Sequence, residues 1–249
     1  MRNIKLVIQY DGTRYKGWQK QNVKGHEAVT IQDKFEKVLS KMMSEEIQII
    51  GCGRTDAGVH ANNYIANFKC KGKASVEEIQ NYLKMYLPED IVVKEVKECS
   101  DRFHSRFNVV KKTYVYTIDN NTYCDVFNRR FAYHVEEKIN IKKMEEASKV
   151  LIGTHDFQSF TNLKPKNGKT TIRTIESINI KEENKIIKIT YSGNGFLLNM
   201  VRILTGTLIE AGQSKITAAD VEKSLNAKSR SEGGFKVPSK GLCMEKVEY

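Results

Sequence analysis

The chain has 249 residues and a 40% hydrophobic content, enough to bury a core, which excludes a disordered chain. Its net charge of +11 and a pI near 9.3 suit a polyanionic partner, although a Lys-rich soluble surface gives the same balance. No apolar run approaches the ~20 residues of a membrane helix, the first residues carry no signal-type apolar stretch, and a cytoplasmic location is expected.

In chain order, Ile4 to Tyr10 reads as a strand and Asp11-Gly12-Thr13 as a turn. Residues 14–29 form a long polar loop around Trp18. Thr30 is placed to cap a helix, with Asp33 three residues on, and Ile31, Phe35, Val38, Leu39 and Met42 keep helical spacing. A short strand over Ile47 to Ile50 leads into the Gly51–Ala61 segment, and Tyr64 to Cys70 is a further strand. Ser75 caps a second helix that Pro88 ends, and Ile91 to Val96 is again a strand. The order β-α-β-β-α-β is the ferredoxin-like, split βαβ pattern.

The second half is expected to resemble the first. It has strands at 113–118 and 130–135, a helix at 141–152, strands at 172–180 and 186–191, and a helix at 196–211. A helix at 218–226 capped by Thr217 and a closing strand at 242–247 follow. The fold class is therefore α+β: two ferredoxin-like halves, 1–105 and 106–249, joined near 100–112. They are expected to share a central antiparallel sheet with helices on one face.

Several segments could carry chemistry. Gly51-Cys52-Gly53-Arg54-Thr55-Asp56-Ala57-Gly58-Val59-His60 follows a strand, and its glycines imply sharp turns. An Arg beside an Asp keeps the carboxylate ionised, ready to act as nucleophile or base. Taken alone, the charge pattern fits an Asp in a turn with a structural Arg partner better than a catalytic pair. Asp56 and His60 stand at metal-ligand spacing, but no further ligand cluster supports a metal. The other histidines (His26, His104, His134, His155) are scattered. Five cysteines, odd in number, widely spaced and without a CxxC pair, read as free thiols. Tyr114 and Tyr116 share one strand face beside Lys111 and Lys112, which suits base stacking next to phosphate or an ordinary half-buried face. Arg202 would lie one or two turns inside a helix, where a cation gains nothing from the dipole, which points to an anionic partner, Asp56 or a phosphate, with a solvated Arg as the alternative.

Tyr10-Asp11-Gly12-Thr13, Gly17-Trp18-Gln19, Gly51 to Ala61, Phe103 to Tyr116, Gly193 to Gly212 and Gly241 to Tyr249 occur in order. Together they resemble the tRNA pseudouridine synthase A family along nearly the whole chain. The resemblance implies an isomerase (an intramolecular transferase) that converts uridine to pseudouridine at positions 38–40 of the tRNA anticodon arm, without cofactor or metal. It implies that Asp56 is the catalytic aspartate, attacking base or sugar or abstracting a sugar proton. Arg54 would hold Asp56 and help displace the base, and Arg202 would ion-pair with the aspartate. Tyr114 would stack on the uracil, and Leu242 would be an apolar wall. It also implies a homodimer in which one RNA contacts both subunits. Arg14, Lys16, Arg106, Lys111 and Lys112 are candidate phosphate contacts. Segments 20–28 and 234–240 depart from the family pattern where RNA contacts are expected, so ribosomal RNA stands as an alternative substrate. A non-catalytic RNA-binding module and a metal-dependent hydrolase using Asp56 and His60 are the competing readings.

Overall fold

A computed structural model describes residues 1–21, 28–163 and 170–249. Most of the unusual 20–28 segment, His26 included, lies outside the described residues. The chain divides into two compact units, one formed by Met1–Val110 with Met244–Tyr249, the other by Lys111–Cys243.

The first unit runs β1 (Arg2–Tyr10), α1 (Ile31–Met43), β2 (Ile49–Gly51), β3 (His60–Cys70), α2 (Val76–Tyr86) and β4 (Ile91–Cys99). This is the element order read from the sequence. β1 lies between β4 and β3, antiparallel to both, and β2 pairs with β3 on its far side, Ile49 opposite Phe68. From Met244 onward the last strand, β10 (Leu242–Glu248), belongs to this unit: Asn62 and Asn63 donate side-chain hydrogen bonds to the Glu245 carboxylate and carbonyl, at 2.8 and 2.9 Å. Alternation along β1 buries Ile4, Leu6 and Ile8, and the apolar faces of α1 and α2 bury Phe35 and Leu39, and Ile79 and Leu83.

The helix starts are built as the capping residues dictate. Thr30 accepts from Asp33 N at 3.3 Å, and Ser75 and Glu78 form a reciprocal capping box.

The second unit contains β5 (Lys111–Asp119), β6 (Tyr133–His134), α3 (Ile141–Val150), β7 (Gly153–Asp156), β8 (Ile172–Glu183), β9 (Ile186–Gly193), α4 (Met200–Gly212) and α5 (Ala218–Ala227). Its strands lie in the order β5-β9-β8-β7, antiparallel throughout. One expectation needs correction: the sheet is mixed, because β6 pairs parallel to β5, Ile118 opposite Tyr133. The second half keeps the strand-helix-strand-strand-helix order of the first through β5, α3, β8, β9 and α4, with β5-β9-β8 side by side as β1-β3-β2 are, and adds β6, β7 and α5. Both units are mixed α and β. No helix among the described residues is long and apolar enough to cross a membrane.

Candidate active site

In the first unit the loop from Cys52 to Val59 connects β2 to β3, and its backbone is held from outside. Trp18 N donates to Thr55 O at 3.3 Å, Gly58 N to Tyr15 O at 3.2 Å, and Cys52 N to Ile65 O at 2.8 Å. The Tyr64 hydroxyl donates to the Gly53 carbonyl, and the Tyr10 and Thr55 hydroxyls share a buried hydrogen bond of 2.9 Å. Trp18 stacks on Tyr64 at 4.0 Å, with Tyr10 beside them.

The Tyr10–Thr13 and Gly17–Gln19 motifs thereby gain a physical role, because they brace this loop. Gly12 and Gly17 are required by that contact. A Cβ on Gly12 would overlap the Val59 carbonyl, and one on Gly17 would overlap the Thr55 carbonyl at a φ of +90°. Asp56, half-buried, sits in the middle of this scaffold, and its own carbonyl closes a turn onto Val59 N at 3.2 Å.

Arg54 is exposed and makes no hydrogen bond or ion pair with a described residue. The structure therefore does not bring its guanidinium onto Asp56, contrary to the expected holding contact; Arg54 instead borders a cleft lined also by Trp18, Gln32 and Arg106. His60 is not disposed as a ligand. It is buried, its Nδ1 accepting from Gly12 N at 3.1 Å and lying 3.2 Å from Asp11 Oδ1, so it belongs to the brace. Among the described residues no three His, Cys, Asp or Glu side chains converge as a metal site.

Arg14 is committed to Asp90, with Nε and Nη2 at 2.9 and 2.7 Å from Oδ2. Tyr15 donates to the other oxygen of that carboxylate at 2.6 Å, and burial pushes its hydroxyl pKa up. A phosphate contact by Arg14 would have to break this pair. Arg106 is exposed, with no side-chain partner among the described residues.

In the second unit β5 separates the residues read together. Lys112, Tyr114 and Tyr116 share one face, whereas Lys111 faces the other way and pairs with Glu176 at 3.1 Å. Tyr116 is fully buried and donates to Pro238 O at 2.7 Å, so burial raises its pKa and its role is packing. Tyr114 is 8% exposed and meets Phe196 edge-on at 5.3 Å. Leu242, buried, follows a 3-10 turn over Ser239–Gly241 whose Gly241 packs against the Tyr116 ring.

α4 begins at Met200, four residues later than expected, because Asn199 takes the left-handed conformation at φ 60° and ends the preceding turn. Arg202 therefore sits in the first helical turn. Its Nε donates to Val237 O at 2.8 Å and its Nη1 to Asn199 Oδ1 at 3.1 Å. These acceptors offset the unfavourable dipole. The atypical 234–240 segment packs on α4: Gly234 N donates to Thr207 Oγ1 at 3.1 Å, and Gly206 abuts the Phe235 carbonyl. Its sequence therefore answers to the helix beneath it. Asn199, Tyr10 and Thr55 were not singled out as individual residues. The aromatics Tyr10, Trp18 and Tyr64, clustered around this loop, are the signal that flags Tyr10 and its partner Thr55.

The family described as tRNA pseudouridine synthase matches residues 6–108 and 147–249. A Clostridium tetani protein named tRNA pseudouridine synthase A 1 is 56% identical over 249 residues, covering 100% of both chains. Proteins named tRNA pseudouridine synthase A 2 from Bacillus anthracis and tRNA pseudouridine synthase A from a Bacillus species are 45% and 47% identical, again over 100% of both chains. Matched in both halves and aligned end to end with such relatives, the chain belongs to the tRNA pseudouridine synthase A family, a family of isomerases.

Proposed function

We propose that the chain isomerises uridine to pseudouridine at positions 38–40 in the anticodon arm of tRNA, with Asp56 as its catalytic carboxylate. The observation that carries this reading is the Gly53–Ala61 segment, present in a chain of end-to-end family likeness and held by a brace made of other family motifs.

The reaction breaks the bond from uracil N1 to the ribose, turns the ring, and joins carbon 5 to the same sugar carbon. Carbon 5 loses a proton and N1 gains one, so substrate and product have the same composition and no net oxidation occurs. The target base must leave its stack, at a cost of a few kcal/mol. Tyr114 as a stacking wall, Leu242 as an apolar wall and Arg54 as the displacing cation offset that cost. Exclusion of water keeps the detached uracil in place. Arg202 is assigned as the cation that serves the aspartate.

The ferredoxin-like half 1–105 thus carries the catalytic loop, and the half 106–249 carries the stacking tyrosine and second arginine. Arg106, Lys111, Lys112 and Arg14 are assigned to phosphate, Lys111 and Arg14 by exchanging their Glu176 and Asp90 partners for RNA. The same likeness extends the proposal to a cytoplasmic homodimer.

The test is incubation with unmodified tRNA, mapping pseudouridine chemically, with Asp56→Ala in parallel. Product in the anticodon arm with the wild type and none with the variant is expected. Product from the Asp56→Ala protein would remove the assignment of Asp56. RNA binding without product from the wild type would favour a non-catalytic module.

A further inference from the structure

In the first unit the loop over residues 100–110, after β4, is pinned along its length. Asn3 Nδ2 donates to the Ser100 and Phe103 carbonyls, each at 2.9 Å. Ser105 N donates to Asn67 Oδ1 at 2.9 Å, and Ser105 Oγ to Ile50 O at 2.5 Å. The Tyr249 hydroxyl donates to Ser105 O at 2.7 Å, and Val110 N to Glu248 O at 2.8 Å. Inside the loop His104 N donates to Asn108 Oδ1 at 2.7 Å, and His104 Nδ1 accepts from Arg106 N and Phe107 N at 3.2 and 3.3 Å.

This framework treats its two phenylalanines in opposite ways. Phe103 packs on Tyr249, ring centroids 4.9 Å apart, with the Lys5 ammonium over both rings. Phe107 is 77% exposed. One face of its ring stacks on the His104 imidazole at 4.2 Å, and the other is left to solvent. A single exposed phenylalanine on a slack loop needs no explanation. Here the backbone and the ring beneath are already fixed, so a flat partner can dock at little cost in conformational freedom.

The surroundings select that partner. Arg102 and Arg106 share the loop, exposed and without a side-chain hydrogen bond or ion pair to a described residue, against one acid, Asp101. An aromatic face beside guanidiniums suits a nucleic-acid base next to its phosphates. A second copy of this chain, itself at +11, would bring like charge to the same spot. Arg106 and Arg54 border one cleft, and Phe107 and Asp56 follow them by one and two residues. An RNA that presents a uridine to Asp56 therefore passes near the ring.

We propose that the free face of Phe107 stacks on an unpaired base of the substrate RNA, a base other than the isomerised uridine. The proposal rests on the functional reading above and adds a binding residue that is blind to sequence. Every base has a π face, so one platform serves target uridines whose neighbours differ.

The test uses the full chain with unmodified tRNA, and with anticodon stem-loops carrying 2-aminopurine, whose fluorescence reports stacking, at one loop position at a time. The wild type should change the emission at a loop position, and Phe107→Ala should abolish that change and weaken tRNA binding about tenfold. Phe107→Leu, which keeps apolar bulk without the ring face, should match the alanine variant, and Phe107→Trp should restore binding. In Phe107→Ala, KM should rise with kcat held, and Tm should not move. The salt slope of binding should also stay, because no phosphate contact is lost. Wild-type affinity in Phe107→Ala or in Phe107→Leu overturns the proposal. So does a Phe107→Ala protein that keeps the emission change but loses a dimer in light scattering without RNA, which would give the ring to a protein interface. A wild type that binds with the Phe107-dependent emission change but forms no product refutes the functional reading and leaves the platform standing. Product formed by Phe107→Ala at wild-type KM does the reverse.

Discussion

The Asp56 loop and the start of α4 hold their charged residues in opposite ways. Around Asp56 no regular structure exists, and the backbone is fixed by neighbours: Trp18 N and the Tyr10 hydroxyl on Thr55, Tyr64 on Gly53, Tyr15 O on Gly58. Arg202 instead stands in a regular helix, and two acceptors, Asn199 and the Val237 carbonyl, grip its own side chain. The loop should therefore be sensitive to changes in residues that never touch substrate, and the helix start to the shape of the guanidinium itself.

The largest effect should come from Gly17→Ala. The new Cβ must displace the Thr55 carbonyl from a left-handed backbone, a strain of about 1–3 kcal/mol placed beside Asp56. Pseudouridine formation should fall by roughly 100-fold or more, the order a ~1 Å misplacement costs, with a lower Tm. Gly195→Ala, whose Cβ would meet only ordinary contacts near 3.9 Å, should change stability by less than about 0.5 kcal/mol. Equal losses at both positions would break the contrast.

Arg202→Lys comes next. It keeps the charge and loses the fork that reaches Asn199 and Val237 together. A fall of about tenfold in kcat is expected by steady-state kinetics, with about 1 kcal/mol lost in denaturant unfolding. Tyr10→Phe, which deletes one hydrogen bond to Thr55, should cost a similar 0.5–1.5 kcal/mol, about as much as any single bond, and lower kcat with KM held. A purely structural Tyr10 would leave kcat unmoved.

What the sequence made legible follows the same contrast. Capping chemistry announced α1, α2 and α5, since Thr30, Ser75 and Thr217 each stand immediately before an apolar periodic run. The Asp56 loop was legible through Gly53–Ala61. β7 was not, because Gly-Thr-His-Asp carries no apolar alternation and pairs only through the β8 edge. The start of α4 was misplaced because Phe196 and Leu197 continue the apolar pattern while Asn199 breaks the backbone. Spacing put Tyr114 and Tyr116 on one face but could not rank them, since depth along a strand depends on what the neighbouring segments cover. Pro238 and Gly241 cover Tyr116. Tyr116→Phe should therefore cost about 1–3 kcal/mol, leaving the Pro238 carbonyl without its donor, while Tyr114→Ala should act mainly on kcat/KM. Denaturation and kinetics on both variants separate the two roles.

The smallest expected effect concerns acid. Asp119, buried at the end of β5, is opposed by burial, which pushes its carboxyl pKa up. Hydrogen bonds from Asp125 N at 3.0 Å, Asn121 Nδ2 at 2.8 Å and Asn121 N at 3.1 Å outweigh it, so the carboxyl is held below its usual range. A depressed folded-state pKa contributes stability above the unfolded value, near 3.9, and loses it as pH falls through the folded value. Wild-type Tm should thus drop below about pH 4, and Asp119→Asn, which cannot ionise, should show a shallower acid slope and a lower Tm at neutral pH. Parallel slopes would mean that the turn after β5 is held by β6 and the Asn120 bonds to the Val135 and Glu137 carbonyls rather than by this carboxylate. That outcome would place the second unit's acid sensitivity elsewhere, without touching the contrast between the Asp56 loop and the start of α4.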